Sequence, residues 1–521
     1  MVKRVELPER WVKPDTLAYE VLSFVARQRQ PVWLVGGAVR DRLLRRETHD
    51  LDLVVPADAA ALARQVADHF NGDFYLLDPR RDFGRALLPA IPAATDDLTI
   101  PDRSAQPLIV DVVRLQGPQL EDDLRARDFT INAMAVLLSA GAAGELIDPL
   151  GGMEDLKRGI LRLASEHALR ADPVRLLRAP RLAGELGLRL SPELIQAIRE
   201  TAPLLAFGAA ERVRDELWRM IGQTGCARAV RVLHHLQLLA VVLPEMAALV
   251  DLQQSPPHHW DVFEHTIQTM QAADRLLMLI WGEGRPQDVP ESLMWEQLVR
   301  YAEPLRAHLS REVSSGHPRA GWLRWLAMAH DWGKALTRTV EADGRVRFLN
   351  HERQGARLVE DRLFLLRFSR EEMRHLGTMV RLHMRPFALL REGQEPSRRA
   401  IYRFFRDAGA MGVELLLCSL ADHRATYGAD LDLVEWRDRV GRVAQMLAAW
   451  LERREETLTP EPLLDGHTLI RELGIAPGPE VGRLLDAVYE AQVVGEVRDQ
   501  VEALELARRL WGERSAEKPR E

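Results

Sequence analysis

The stretch VWLVGGAVRDRLLRRETHDLDL, which opens at Val32, constrains the fold more than any other part of this chain. A short apolar run, Val32 to Val35, breaks at Gly36-Gly37 and passes into a helical pattern carrying Arg40 and Asp41. A second apolar strand pattern then holds Asp50 and Asp52. Side chains alternate across a strand, so these two carboxylates face the same way beside a glycine turn. Two acids so placed repel each other unless a cation bridges them. Hard oxygen ligands suit Mg²⁺, which keeps several waters and takes substrate phosphates as its remaining ligands. Glycine lets backbone N–H groups approach a phosphate closely, and the start of the following helix favours an anion. The stretch predicts a site for a nucleoside triphosphate with a metal.

Five further segments extend the pattern: LIVDVVRL (108–115), RARDFTINAMA (125–135), DPLGGMEDLKRGILR (148–162), ADPVRLLRAPRLAGELG (171–187) and ERVRDEL (211–217). With GGAVRD (36–41) and HDLDLV (49–54), their order over about two hundred residues resembles the class II tRNA nucleotidyltransferase/poly(A) polymerase family. The resemblance implies an α+β head built on a small mixed β-sheet, followed by an all-α neck, body and tail. It also implies a third catalytic carboxylate, Asp111, beside Asp50 and Asp52, and places Gly36, Gly37, Arg40, Asp41, Arg127, Asp128 and Asn132 around the nucleotide. Where the family carries an arginine pair before the aspartate, this chain reads Ala126-Arg127, so one guanidinium is missing.

At 521 residues the length allows about three domains, each able to bury a core. No run approaches the apolar length of a membrane span, and the N-terminus does not read as a signal peptide. Two cysteines, Cys226 and Cys418, make no disulfide framework, so a reducing cytoplasm is the expected setting. The net charge of −7 argues against a uniformly basic nucleic-acid binder, so RNA would need a local basic stripe. Lys and Arg together number 70, of which only Lys3, Lys13, Lys157, Lys334 and Lys518 are lysines. Nothing in the sequence sets an oligomeric state.

Period changes predict a helix over 15–30, strands at 32–35, 51–55, 73–78, 108–114, 134–139 and 145–148, helices at 39–46 and 58–70, and a loop over 90–107. From Asp155 onward helical periodicity dominates, with a charged linker near 455–462 and a frayed end at 513–521. The expected division is a head at 1–155, a helical neck and body at 156–250, a third helical segment at 251–450 and a tail at 451–521.

In the head, Arg40 and Arg127 are expected on the triphosphate, because guanidinium forks match phosphate oxygens. Asp172 and Arg175 stand three apart on an expected helix and so share a face. A carboxylate accepts from an exocyclic amine and a guanidinium donates to a ring nitrogen or carbonyl, a pairing that fits cytosine and adenine but not uracil or guanine. The resemblance implies that this pair chooses CTP and ATP, with Arg178 and Arg181 adding phosphate contacts. Pro180 is expected to kink that helix and displace Arg181. An isolated D-x-x-R is more often a plain helix salt bridge.

A second constellation spans 258–425: His265, then His330-Asp331, His351, His383 and Asp422. It resembles the HD-type metal phosphohydrolase domain, which implies His265, His330, Asp331 and Asp422 as a first metal set and His351 and His383 where two-metal versions keep further ligands. Imidazole with carboxylate suits Mn, Fe, Ni or Zn better than Mg alone. A tail segment, 462–497, contains a PGPEVG turn that opens a helix whose N-terminus could meet an RNA phosphate; a helical packing module is an equal reading.

Three functions compete. The first is template-independent addition of CMP and AMP from CTP and ATP to a tRNA 3′ end. The second is poly(A) synthesis or partial addition, CC alone or A alone, on the same scaffold. The third is a metal phosphohydrolase whose head only binds RNA.

Overall fold

The computed structural model describes residues 3–6, 16–89, 107–138, 145–314, 316–390, 393 and 395–517. The expected loop over 90–107 lies almost wholly outside them. The chain divides into two compact units, 1–208 and 209–521.

The first unit is built on an eight-stranded mixed sheet. In chain order its elements are β1 (Lys3–Glu6), α1 (Leu17–Val25), β2 (Trp33–Val35), α2 (Gly37–Leu43), β3 (Asp50–Val55), α3 (Ala59–His69), β4 (Asp73–Asp78), β5 (Phe83–Leu88), β6 (Leu108–Arg114), α4 (Leu120–Ala126), β7 (Ala135–Leu137), β8 (Glu145–Asp148), α5 (Gly152–Arg158), and, after a short parallel pair at 160–161 and 189–190, the helices α6 (Ala168–Ala171), α7 (Arg175–Leu186) and α8 (Pro192–Thr201). The strands lie in the order β1-β8-β7-β2-β3-β6-β5-β4. Only β3 and β6 pair in parallel within it. The edge strand β1, paired antiparallel with β8, carried no clear sequence signal.

Alternation in β3 sorts its side chains. Leu51, Leu53 and Val55 join a core with Val21 and Leu22 of α1 and Leu62 and Val66 of α3. Val54 faces the other way, with Val35, Leu120 and Leu124, so Asp50 and Asp52 share the face that α4 covers only in part. Local caps fix the helices: Thr16 Oγ1 accepts from Tyr19 N at the start of α1, and Ser191 Oγ from Leu194 N at the start of α8. Pro180 sits inside α7, which nevertheless runs unbroken from Arg175 to Leu186.

The second unit is almost entirely helical. Its centre holds the helices Val262–Trp281, Arg319–Ala329, His351–Leu365, Arg370–Leu382, Gly412–Tyr427 and Leu433–Leu451, around fully buried Trp322, Trp325, Trp332 and Trp436. Two short hairpins, at 312–318 and 338–348, interrupt the helices where strands were not expected. The tail packs its own apolar cluster, including Leu469, Leu484, Val488 and Ala503, and its last helix continues to Glu517 rather than fraying at 513. Among the described residues no helix is long and apolar enough to cross a membrane.

Two glycines make opposite tests of packing in the first unit. A Cβ on Gly152, the first residue of α5, would lie 2.1 Å from the carbonyl oxygen of Thr130. A Cβ on Gly184, inside α7, would meet nothing within 4 Å. Gly152→Ala should therefore destabilise the protein by about 2 kcal/mol or more, and Gly184→Ala should stabilise it by roughly 0.5–1 kcal/mol. Denaturant midpoints of the two variants against the parent check both signs.

Candidate active site and metal centre

The first site sits where β2, β3 and β6 present one face. Val35 pairs with Asp52 across β2 and β3, and Asp52 pairs in turn with Asp111 across β3 and β6. Neighbouring strands lie about 4.8 Å apart, so the two carboxylates are held side by side, with Asp50 two residues along on the same face. Gly36 closes this end. Its φ is +74°, and a Cβ there would come within 3.0 Å of both Asp52 Oδ2 and Arg127 Nη1; glycine is required both by the backbone conformation and by that close approach.

Electrostatics follow the crowding. The Asp52 carboxyl is pushed up to about 6, chiefly by burial, with Asp111 and Asp50 adding to the rise and Arg127 and Arg178 opposing it. Arg85 on β5 stands opposite Asp111 in register and grips both of its oxygens, Nε to Oδ1 at 2.7 Å and Nη2 to Oδ2 at 2.8 Å. Arg127 is anchored from behind by Asp123, at 3.1 Å from Nη2. Three carboxylates on one face, countered by arginines, offer oxygen donors of the kind a divalent cation takes, while among the described residues only the second unit brings three ligand atoms within 4.8 Å of one another.

Arg40 departs from expectation. It is buried, its Nε and Nη2 donate to the Asp41 carboxylate at 2.8 and 2.9 Å, and its Nη1 donates to Asn132 Oδ1 at 2.7 Å. Asn132 Nδ2 passes the network to Asp128 Oδ1 at 3.0 Å, and Arg178 Nη1 donates to Asp128 Oδ2 at 3.1 Å. Burial would raise the Asp128 carboxyl, but Arg178 and the bonds from Asn132 and Phe129 N outweigh it and hold it below the usual range. Arg40, Asp41, Asn132, Asp128 and Arg178 thus form one continuous polar brace under the glycine turn.

Asp172 and Arg175 do not share a helix. Asp172 is extended, at φ −148° and ψ 97°, and closes α6; Arg175 is the first residue of α7. Proline at 173 is the physical reason, because the residue before it is driven out of the helical region. The two side chains still meet, Nε to Oδ2 at 3.8 Å. Arg175 also donates to the carbonyls of Arg127, Ala168 and Ala126 at 3.3, 3.1 and 3.0 Å, which bolts α7 to the end of α4. Arg181 pairs with Glu185 at 2.6 Å.

The second unit gathers all six residues expected there. His265 Nε2 lies 3.0 Å from Asp422 Oδ1, and His330 Nε2 lies 3.3 Å from Asp331 Oδ2 and 4.0 Å from Asp422 Oδ2. His351 Nε2 lies 3.5 Å from Asp331 Oδ1 and 3.2 Å from His383 Nε2. Two groups of ligand atoms result, His265-His330-Asp331 and Asp331-His351-His383, sharing Asp331. His330, His351 and His383 each donate Nδ1–H to a carbonyl, of Ala327, Phe348 and Val380. That fixes the tautomer and leaves each Nε2 lone pair turned to the centre. The facing Nε2 atoms of His351 and His383 repel unless a cation lies between them, and the buried His330 Nε2 makes no hydrogen bond. Burial, with His351 and His330 beside it, pushes the His383 imidazole down to about 3. Burial would raise Asp331, yet Lys334, His330 and His351 hold it well below the usual range. These residues would suit divalent cations, with Asp331 common to both groups.

Several residues escaped the sequence reading. Arg85 could have been found from its alternation in FGRALL, had the pairing of that strand with β6 been known. Lys334, three residues after Asp331, places Nζ 2.7 Å from Asp331 Oδ2 and donates to Gln254 Oε1 at 2.9 Å. His258 stacks edge-on to His265 with ring centroids 5.0 Å apart.

Comparison with known proteins bears on the same residues. Residues 32–162 match the Poly A polymerase head domain, 187–249 the "Probable RNA and SrmB- binding site of polymerase A", and 262–426 the HD domain. The chain is 34% identical over 492 residues to an A-adding tRNA nucleotidyltransferase of Deinococcus radiodurans, covering 92% of this chain and 95% of that one. It is 33% identical over 475 residues to a CC-adding tRNA nucleotidyltransferase of Thermus thermophilus, covering 90% and 91%. In fold it is similar to a solved CCA-adding enzyme complex with ATP, at a TM-score of 0.62, 17% identity, and coverage of 97% and 98%.

The raised Asp52 carboxyl sets a test. Between the ordinary value of 3.8 and about 6 the folded protein binds the extra proton, so stability falls as pH rises through that window. Asp52→Asn removes this loss. In chelator at pH 7.5 the variant's first unit should be more stable than the parent's by about 3 kcal/mol, the difference should vanish near pH 4, and added Mg²⁺ should raise the melting temperature of the parent only. Differential scanning calorimetry at the two pH values checks each part.

Proposed function

We propose, from the premise that the chain belongs to the tRNA nucleotidyltransferase/poly(A) polymerase family, that it adds CMP and AMP residues from CTP and ATP to the 3′ end of tRNA without a nucleic-acid template. The observation that carries this reading is the in-register placement of Asp52 and Asp111 on adjacent parallel strands, with Asp50 beside them and the Gly36 turn at their end. Mg²⁺ held there by Asp50, Asp52 and Asp111 would neutralise triphosphate charge and acidify an attacking 3′-hydroxyl. The protein's own groups do the rest. Arg127, aimed past Gly36, meets the triphosphate; Arg40, Asp41, Asn132, Asp128 and Arg178 hold the turn rigid; Arg85 orients Asp111 through both of its oxygens. In-line attack on the α-phosphorus then needs no covalent intermediate with the enzyme, because positioning and charge supply the catalysis.

Asp172 and Arg175 are the base-reading pair in this account, anchored by the Arg175 bonds to the backbone of residues 126, 127 and 168. The product we assign is the complete CCA end. A second reading, CC alone or A alone, is favoured by relatives that span nearly the whole chain, among them one A-adding and one CC-adding. For the His/Asp centre of the second unit we infer Mn, Fe, Ni or Zn and a phosphohydrolase activity on RNA 3′ ends. The divisions expected near 155, 250 and 450 remain our reading of the domain plan, and the cytoplasm our reading of its setting.

The decisive incubation offers purified protein a tRNA ending before CCA, after C, or after CC, with labelled CTP or ATP. Full addition extends all three, CC addition only the first two, A addition only the last; extension of none overturns the assignment. Asp50→Ala and Asp52→Ala should each abolish extension.

Base choice and phosphate grip should separate by mutation. Asp172→Ala should lower discrimination against UTP and GTP roughly ten- to a hundredfold, because a site built for hydrogen bonding is left with an unpaired group. Arg40→Ala should slow all four nucleotides together, through loss of the brace. kcat/KM for each triphosphate with a tRNA substrate decides; an equal loss for all nucleotides in Asp172→Ala would reduce the pair to a structural salt bridge.

A further inference from the structure

Arg85 lies within β5, directly opposite Asp111 on β6, and its Nε and Nη2 donate to Oδ1 and Oδ2 at 2.7 and 2.8 Å. Among the described residues it is the one side chain hydrogen-bonded to any of the three carboxylates, Asp50, Asp52 and Asp111. The other arginines of the site are engaged elsewhere, Arg127 with Asp123 and Arg178 with Asp128. The charge of Arg85 acts on Asp50 and Asp52 as well as on its partner. The pair is partly open, its side chains 37% and 18% exposed, so ions reach it from solvent.

A cross-strand arginine–carboxylate pair is by itself an ordinary contact of small effect. Here the partner is one of three acids facing one way, and the arginine occupies both of its oxygens in a two-pronged grip. Asp111 is thereby drawn toward β5. Among the described residues no three ligand atoms of the first unit come within 4.8 Å of one another, whereas the second unit holds two such groups. Mg²⁺ is commonly held by one or two carboxylates, with substrate phosphates completing its shell, and not by an all-protein cage. A head whose third acid is engaged by arginine meets that pattern: it presents Asp50 and Asp52 and leaves the remaining positions to phosphate oxygens. The same guanidinium repels a lone dication and attracts a triphosphate.

We propose that Arg85 is a positioning residue that keeps Asp111 from completing a ready-made cation cage, so that the head takes up its divalent cation together with the triphosphate and only weakly without it. The inference rests on the reading of the head as a site for Mg²⁺ and a nucleoside triphosphate. Its sign separates it from simpler roles. If Arg85 served only to present Asp111 to the cation, removing it would weaken cation binding. If the pair were a plain salt bridge, removal would leave binding unchanged. A counter-charge that withholds Asp111 has the opposite signature, because its removal tightens the cation's hold.

Calorimetric titration of the full-length protein with Mg²⁺, in the absence of nucleotide, reads that sign, with Asp52→Asn as the reference that subtracts ions bound by the second unit. Arg85→Met, which keeps the unbranched stem, should bind Mg²⁺ at least tenfold more tightly than the parent; a loosened fold would bind it more weakly. Arg85→Lys, which keeps the charge without the fork, decides if Arg85→Met does not fold, with binding at least threefold tighter than the parent's. In an Asp111→Asn background the gain from Arg85→Met should shrink below threefold, because no third carboxylate is freed. The ratio of CTP affinities with and without Mg²⁺, measured without RNA, should fall in Arg85→Met by the factor by which Mg²⁺ binding tightens, since the coupling is reciprocal. Unchanged or weaker Mg²⁺ binding by the variant, or an unchanged ratio, overturns the proposal alone when the parent binds CTP in saturating Mg²⁺. A parent that binds no CTP there overturns the nucleotide reading of the head, and this inference with it.

Discussion

The structure of the first unit depends on one repulsion, that of Asp52 and Asp111 facing each other across β3 and β6. The register of β3 with β6 sets Asp52 opposite Asp111, and two carboxylates so close repel unless a counter-charge lies beside them. The surrounding design supplies it from several directions: Arg85 from β5, Arg127 from the end of α4, and Arg178 from α7 through Asp128. Gly36 must be glycine because Asp52 and Arg127 both crowd it. The brace from Asp41 to Arg178 follows from the same need, since a turn under charge must be held by groups that are themselves satisfied.

The second unit meets a like problem with softer chemistry. Its ligand atoms are imidazole nitrogens and two aspartates in a buried setting, and the tautomer of three histidines is fixed by backbone carbonyls. Lys334 lies against Asp331 where the head uses arginine against Asp111. The contrast of oxygen-rich and nitrogen-rich donor sets within one chain argues for different cations at the two places.

Much of this was legible in the sequence because short spacing carries it. Asp50 and Asp52 share a face through strand alternation alone, and the adjacent His330-Asp331 pair marks the cluster that the fold gathers with His265, His351 and His383. Asp111 was reached by resemblance, and its register with Asp52 is a matter of sheet topology that local sequence does not encode. Arg85 was missed for the same reason, since its partner is 26 residues away on another strand. The shared helix assigned to Asp172 and Arg175 failed because Pro173 was not weighed against the helical pattern. Arg40 read as a ligand for phosphate because a lone arginine after a glycine turn looks free, whereas its neighbour Asp41 and the distant Asn132 occupy it. Long-range pairing, not composition, separates what was read from what was not.

The central claim is that crowded carboxylates on β3 and β6 are held ready for a divalent cation. Proton release on Mg²⁺ binding tests it most directly, by calorimetry in buffers of different ionisation enthalpy, with the Asp52→Asn protein as reference. With the Asp52 carboxyl at about 6, the parent should release about half a proton more than the variant per cation at pH 6 and almost none at pH 8. Equal release by parent and variant at pH 6 would contradict the account.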